Sequence, residues 1–114
     1  MFAVIFEVTP TKEGKEKYLS IAGEIRGFLE NREGFISMER FESLVHEGKL
    51  LSLSFWENEE AIEKWRNLMD HRMAQKTGKE KLFKSYRIRV AGVTRDYTPE
   101  SRSQAPDDSN HALL

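Results

Sequence analysis

The sequence predicts an α+β fold with one antiparallel sheet and two helices, in the order β-α-β-β-α-β. Three observations carry that expectation. Two helical stripes of apolar residues alternate with extended segments, the middle two extended segments are joined by a tight turn, and each half of the chain reads strand-helix-strand. This is the ferredoxin-like arrangement, a four-stranded antiparallel sheet with both helices on one face.

The first segment, Phe2 to Val8, is rich in β-formers, with Phe2, Val4, Phe6 and Val8 on one side and Ala3 and Ile5 on the other. It is apolar on both sides. Beyond Thr9 to Gly14, where Thr11 is the expected cap, Tyr18, Ile21, Ala22, Ile25, Phe28 and Leu29 recur at helical spacing. Asn31 to Gly34 breaks the helix, and Phe35 to Ser43 reads as an edge strand because Glu39, Arg40 and Glu42 interrupt its apolar content. Glu47, Gly48 and Lys49 make a turn. Leu50 to Trp56 follows, with Leu51, Leu53 and Phe55 alternating against Leu50, Ser52, Ser54 and Trp56. Asn58 caps a second helix with the stripe Ala61, Ile62, Trp65, Leu68 and Met69, continuing toward Gly78. A short helical turn at Lys79 to Phe83 leads to the last strand, Ser85 to Thr94, which alternates Tyr86, Ile88 and Val90 with Arg87, Arg89, Ala91 and Val93.

Length and charge bound what such a fold does. With 114 residues there is room for one domain and no separate cofactor domain. Residues 1–97 form that domain, and residues 98–114, with two of the three prolines, read as a tail without a fold of its own. The formal net charge of -1 lacks the basic excess that phosphate neutralisation requires, so nucleic acid is not an expected partner. There is no cysteine, which excludes disulfides and thiolate chemistry. Neither a basic leader nor a membrane-length apolar run is present, so the expected setting is cytoplasmic, with no membrane partner. A sheet apolar on both faces needs a second cover, and the same face of another copy supplies it, which predicts a homodimer.

No phosphate loop, zinc spacing or nucleophile elbow occurs. Of His46, His71 and His111, only His71 draws interest, because it follows Trp65 by six residues and so lies on the flank of the helix stripe. There it is either a helix-end residue facing water or a proton acceptor at the mouth of an apolar pocket. Trp65 is likewise either core or pocket wall. Arg87 and Arg89 either bind an anion or pair with Glu39 or Glu42 of a partner copy.

The stretch Ser54-Phe-Trp-Glu-Asn-Glu-Glu-Ala61 to Trp65-Arg66, followed by His71, Ala74-Gln75, Gly78, Tyr86-Arg-Ile-Arg-Val-Ala91 and Arg95-Asp-Tyr97, resembles the antibiotic biosynthesis monooxygenase (ABM) domain family over residues 1–97. The resemblance implies a dimeric α+β barrel with a ligand pocket between helices and sheet in each subunit. It also implies a monooxygenase that needs no flavin, metal or haem, in which the enolate or phenolate of a small aromatic, quinol-like or enolisable substrate gives electrons to molecular oxygen. Trp65 and His71 then take the catalytic positions, with Phe6, Trp65, Leu68 and Tyr86 against the substrate. Such members commonly carry an Asn one turn before the helix Trp and a Tyr six residues after it, where this chain has Ala61 and His71. Haem-degrading relatives combine a first-strand Asn, this Trp and a His ten residues on; here the first strand has no Asn and the tenth position is Gln75. A non-catalytic barrel that binds an apolar ligand is the alternative from a different class, and haem binding is a third.

Overall fold

The computed structural model describes residues 1–77 and 81–113. Its elements are β1 (Phe2–Pro10), α1 (Gly14–Arg26), β2 (Phe35–Glu42), β3 (Leu50–Trp56), α2 (Glu59–Thr77), β4 (Phe83–Gly92) and α3 (Asp107–Leu113). The four strands form one antiparallel sheet in the order β2-β3-β1-β4, the ferredoxin-like topology expected from the sequence. The expected stop at Gly78 lies outside the described residues, as does part of the helical turn expected at Lys79 to Phe83; Phe83 itself opens β4.

Both helices start where side chains satisfy free backbone donors. The Gly14 N–H donates to Thr11 Oγ1 at 2.9 Å, and the Ala61 N–H donates to Asn58 Oδ1 at 2.8 Å. α1 ends at Arg26, earlier than its apolar stripe suggests. Two tight closures follow, Phe28 N–H to the Ile25 carbonyl at 2.9 Å and Leu29 N–H to the Arg26 carbonyl at 3.1 Å. They overwind the chain relative to an α-helix. Leu29 is thereby buried in the core, while Phe28 turns outward beneath the Arg72 guanidinium, 4.9 Å from its ring centroid.

Register assigns every strand residue to a face, because antiparallel partners point the same way. Leu50, Ser52, Ser54 and Trp56 of β3 are all buried beneath the helices, beside Val8, Phe6, Val4 and Phe2 of β1. The more apolar set, Leu51, Leu53 and Phe55, thus lies on the reverse face with Ala3 and Ile5. Two serines under the helices make room for large neighbours: Trp56 is fully buried, with Phe35 5.3 Å and Trp65 6.1 Å from it between ring centroids. Ile21, Ile25, Leu29, Ala61 and Leu82 complete this core.

Gly34 fixes the entry to β2 against α2. Its φ is +82°, and a Cβ there would stand 2.6 Å from the Ala61 Cβ. On the reverse face Arg89 pairs with Glu7 of its own chain, from β1, at 3.3 Å. Beyond Val93, whose N–H reaches the Met1 carbonyl at 3.0 Å, the C-terminal segment contains α3. Arg102 ties that segment together by donating to Asn110 Oδ1 at 3.0 Å and Ser109 Oγ at 2.9 Å while lying over Tyr97.

Candidate functional site: an aromatic cleft between α2 and β4

The helices do not cover the sheet evenly. α1 and α2 bury the helix-side residues of β3 and the Val8 end of β1, whereas on β4 Tyr86, Ile88 and Val90 keep about half or more of their surface, 63%, 50% and 48%. Apolar side chains left open on the covered side of a sheet outline a cleft. An open groove of about 540 Å³ lies at its end, bounded by Met73, Ala74 and Thr77 of α2 and by residues 81–86, which bring Lys81 and Lys84 to it as well as Phe83 and Tyr86.

Phe83 and Tyr86 line it, and further rings pack behind them. Phe6 meets Phe83 at 6.2 Å and Tyr86 at 6.0 Å, Phe83 meets Tyr86 at 6.1 Å, and all three contacts are edge-to-face. Phe83 also stands 5.2 Å from Tyr18 of α1. A second, smaller cavity of about 260 Å³ lies at the start of α2 among Arg32, Glu33, Asn58, Glu60 and Lys64, and is polar in character.

The candidate residues separate into two groups. Tyr86 bounds the cleft, and Phe6 packs behind it at 6.0 Å without lining the cavity. Trp65 and Leu68 belong to the neighbouring core: Trp65 is buried, packs on Trp56 and lies under the Arg32 guanidinium at 5.6 Å, and Leu68 packs against the same cluster. Neither bounds the cavity. His71 is exposed and bounds neither cavity; its connection to the cleft is Ala74, one turn further along α2. The helix stripe takes Trp65 inward, and six residues of rotation carry position 71 out past the flank into water. Gln75 is exposed as well, and among the described residues no group of His, Asp and Glu is arranged to hold a metal ion.

Two residues with a bearing on the site give little sign of it in the sequence. Phe83 ends a segment whose pattern reads as a helical turn, yet it joins Phe6, Tyr18 and Tyr86. Arg40 reads as one of three charges weakening an edge strand, yet its guanidinium lies over the Tyr18 ring at 5.6 Å and its Nε is buried without a hydrogen-bond partner. Strand alternation carries a signal for Arg40, since it shares a face with Met38 rather than with Glu39.

Comparison with known proteins gives concordant findings. The antibiotic biosynthesis monooxygenase family profile matches residues 1–77. A Pyricularia oryzae protein named jasmonate monooxygenase ABM is 44% identical over 94 residues, covering 82% of this chain; the chain spans 44% of that protein's length. Among solved structures, Rv0793 from Mycobacterium tuberculosis superposes with a TM-score of 0.71 at 17% identity, covering 85% of this chain and 98% of its own. The haem-degrader MhuD from Mycobacterium tuberculosis, solved with two haems in its active site, superposes with a TM-score of 0.66 at 14% identity, covering 86% and 100%. At those identities the two structures bear on the fold alone.

Proposed function

Because the chain belongs to the antibiotic biosynthesis monooxygenase family, we propose that it is a cofactor-independent monooxygenase for a small aromatic, quinol-like or enolisable compound bound in the cleft between α2 and β4. The observation that carries this reading is the pair of rings, Phe83 and Tyr86, that line a groove of about 540 Å³ with Phe6 packed behind them, a size suited to a small organic molecule.

In the reaction proposed, the substrate supplies the electrons. A CH2 or its aromatic equivalent next to an enolate or phenolate reacts with dioxygen. One oxygen atom becomes a carbonyl in the product, the other leaves as water with the two hydrogens, and the substrate loses four electrons. The protein's part is to exclude bulk water and to steady the anion that develops. Tyr86 contacts the substrate with Phe6 packed behind it, while Trp65 and Leu68 hold α2 over the core and so fix one wall. His71, exposed beyond the cleft, has bulk water as a competing proton acceptor and stands outside the substrate contacts in this reading.

The same reading makes the functional unit a homodimer in the cytoplasm, closed through the reverse face of the sheet. Ile5, Leu51, Leu53 and Phe55 there are only partly buried, and Phe41 is 41% exposed, an apolar group flanked in register by Glu7, Glu39 and Arg89. Among the described residues no helix is long and apolar enough to cross a membrane.

Oxygen uptake with a panel of hydroquinones and enolisable ketones tests the activity, and the relative's name adds jasmonate to that panel. Uptake above buffer with at least one compound, with a product one oxygen atom heavier and two hydrogens lighter, is expected. Consumption at the buffer rate throughout, alongside measurable binding of the same compounds, leaves a ligand-binding barrel instead.

A further inference from the structure

The ladder between β1 and β4 slips once. From Phe2 opposite Gly92 to Thr9 opposite Ser85 the pairing is regular, but the next pair is Pro10 opposite Phe83, so Lys84 has no partner across β1. The slip falls where Pro10 offers the ladder no N–H. Lys84 is thus the extra residue of a β-bulge, which re-aims the side chains around it. Phe83 and Tyr86 are three residues apart, a spacing that strict alternation would send to opposite faces, yet their rings meet at 6.1 Å and both bound the groove beside α2. The bulge therefore brings two rings and Lys84 to one groove, and Lys81 joins them there.

The charge of this groove is one-sided. Its lining carries Lys81 and Lys84 and no carboxylate, in a chain whose formal net charge is -1. Lys49, Lys64, Lys76 and Arg89 each have a carboxylate within 3.8 Å, whereas among the described residues neither Lys81 nor Lys84 is in an ion pair. The hydroxyl of Thr77 is committed, since it donates to the Met73 carbonyl at 2.8 Å. The two ammonium groups are thus the charged donors beside the apolar surface of Met73, Phe83 and Tyr86. The C-terminal end of α2 also attracts cations through its free carbonyls, a structural use of the same lysines that binding measurements separate from recognition of a ligand.

We propose that Lys84 and Lys81 are the anion-recognition pair of the groove, and that the ligand is a largely apolar carboxylic acid. Its hydrophobic part lies against Phe83 and Tyr86, and its carboxylate meets the two ammonium groups. This assignment rests on the groove being the ligand site, as argued above, and makes no use of turnover. An ammonium on a flexible stem acts as a point charge and imposes no fixed geometry, so the pair selects for charge and leaves shape to the rings. Both lysines are exposed, which limits their effect to roughly a fivefold preference for the anion.

A matched pair of probes tests it: naphthaleneacetic acid, ionised at pH 7, and naphthaleneacetamide, of the same shape without charge. Titration of isotope-labelled protein, followed by amide chemical shifts, reads both affinity and place. The acid is expected to bind roughly fivefold more tightly, with the largest shifts at Phe83, Lys84 and Tyr86 and an advantage that shrinks as salt is raised. Changing Lys81→Gln and Lys84→Gln together is expected to bring the acid down to the affinity of the amide while leaving the amide within about twofold, and Lys84→Arg, which keeps the charge, to retain most of the preference. Thermal unfolding of each variant checks that the fold persists. Equal binding of acid and amide by the wild type overturns the role of the lysines and leaves the groove as ligand site. So does a double variant that keeps the acid's advantage, which assigns both lysines to the end of α2, or one that loses both probes. Shifts confined to another surface, or binding of neither probe at millimolar concentration, overturn the ligand-site reading itself, and this inference with it.

Discussion

The indole N–H of Trp56 donates to the hydroxyl of Ser54, two residues earlier on the same face of β3, at 2.9 Å, with both side chains buried. A Trp with no exposed surface cannot send its N–H to water, so Ser54 is what allows the largest core residue its place. Ser54→Ala is expected to destabilise the protein by about 1–3 kcal/mol, because it orphans a buried donor. Urea unfolding measures this. Adding Trp56→Phe should cost less in the Ser54→Ala background than in the wild type, since the donor is then gone too. Equal costs in both backgrounds would show that the bond contributes nothing.

Two glycines with positive φ separate strain from collision. Gly34 (φ +82°) faces the Ala61 Cβ, whereas Gly48 (φ +79°), in the turn between β2 and β3, has nothing within 4 Å of the place a Cβ would take. Gly48→Ala should therefore cost only the backbone term, about 1–2 kcal/mol. Gly34→Ala should cost clearly more, because α2 must also shift. A comparison of denaturation midpoints decides it, and equal losses would refute the contact between Gly34 and α2.

Leu53 lies on the reverse face, between Ile5 and Glu39 in register. If that face closes a homodimer, Leu53→Asp buries an unpaired charge in the contact and should convert a dimer to a folded monomer, with the helical circular dichroism retained. Sedimentation at micromolar protein reads the result. A wild-type protein already monomeric there sinks the assembly.

Tyr86 and His71 are both exposed, yet only Tyr86 bounds the cleft. Tyr86→Ala should raise KM for an active substrate roughly tenfold, the value of a lost aromatic contact, with little change in Tm. His71→Ala should leave kcat and KM within about twofold. The reverse pattern, an inert Tyr86→Ala and a kcat lost in His71→Ala, would return the proton-handling role to the helix flank.

How far the sequence reached differs by kind of signal. β3 was legible to the residue, because strict alternation between turn and helix cap fixes both ends. The two caps, Thr11 and Asn58, were legible for the same local reason. Phe28 was not: it sits at helical spacing, but the tight closures after Ile25 rotate it out of the stripe. Nor was the meeting of Phe6, Phe83 and Tyr86, whose partners come from opposite ends of the chain.

Sequence periodicity and end signals alone determined the order of the elements from β1 to β4, the antiparallel sheet and the amphipathic faces of α1 and α2, since these follow from repeats of two and 3.6 residues within short windows. Only the tertiary structure decided which face of β3 the helices cover, and that Trp65 packs inward while His71 meets water. The reason is physical: a local pattern says which residues share a side, but which side is covered, and by what, depends on volumes and partners brought together from distant parts of the chain.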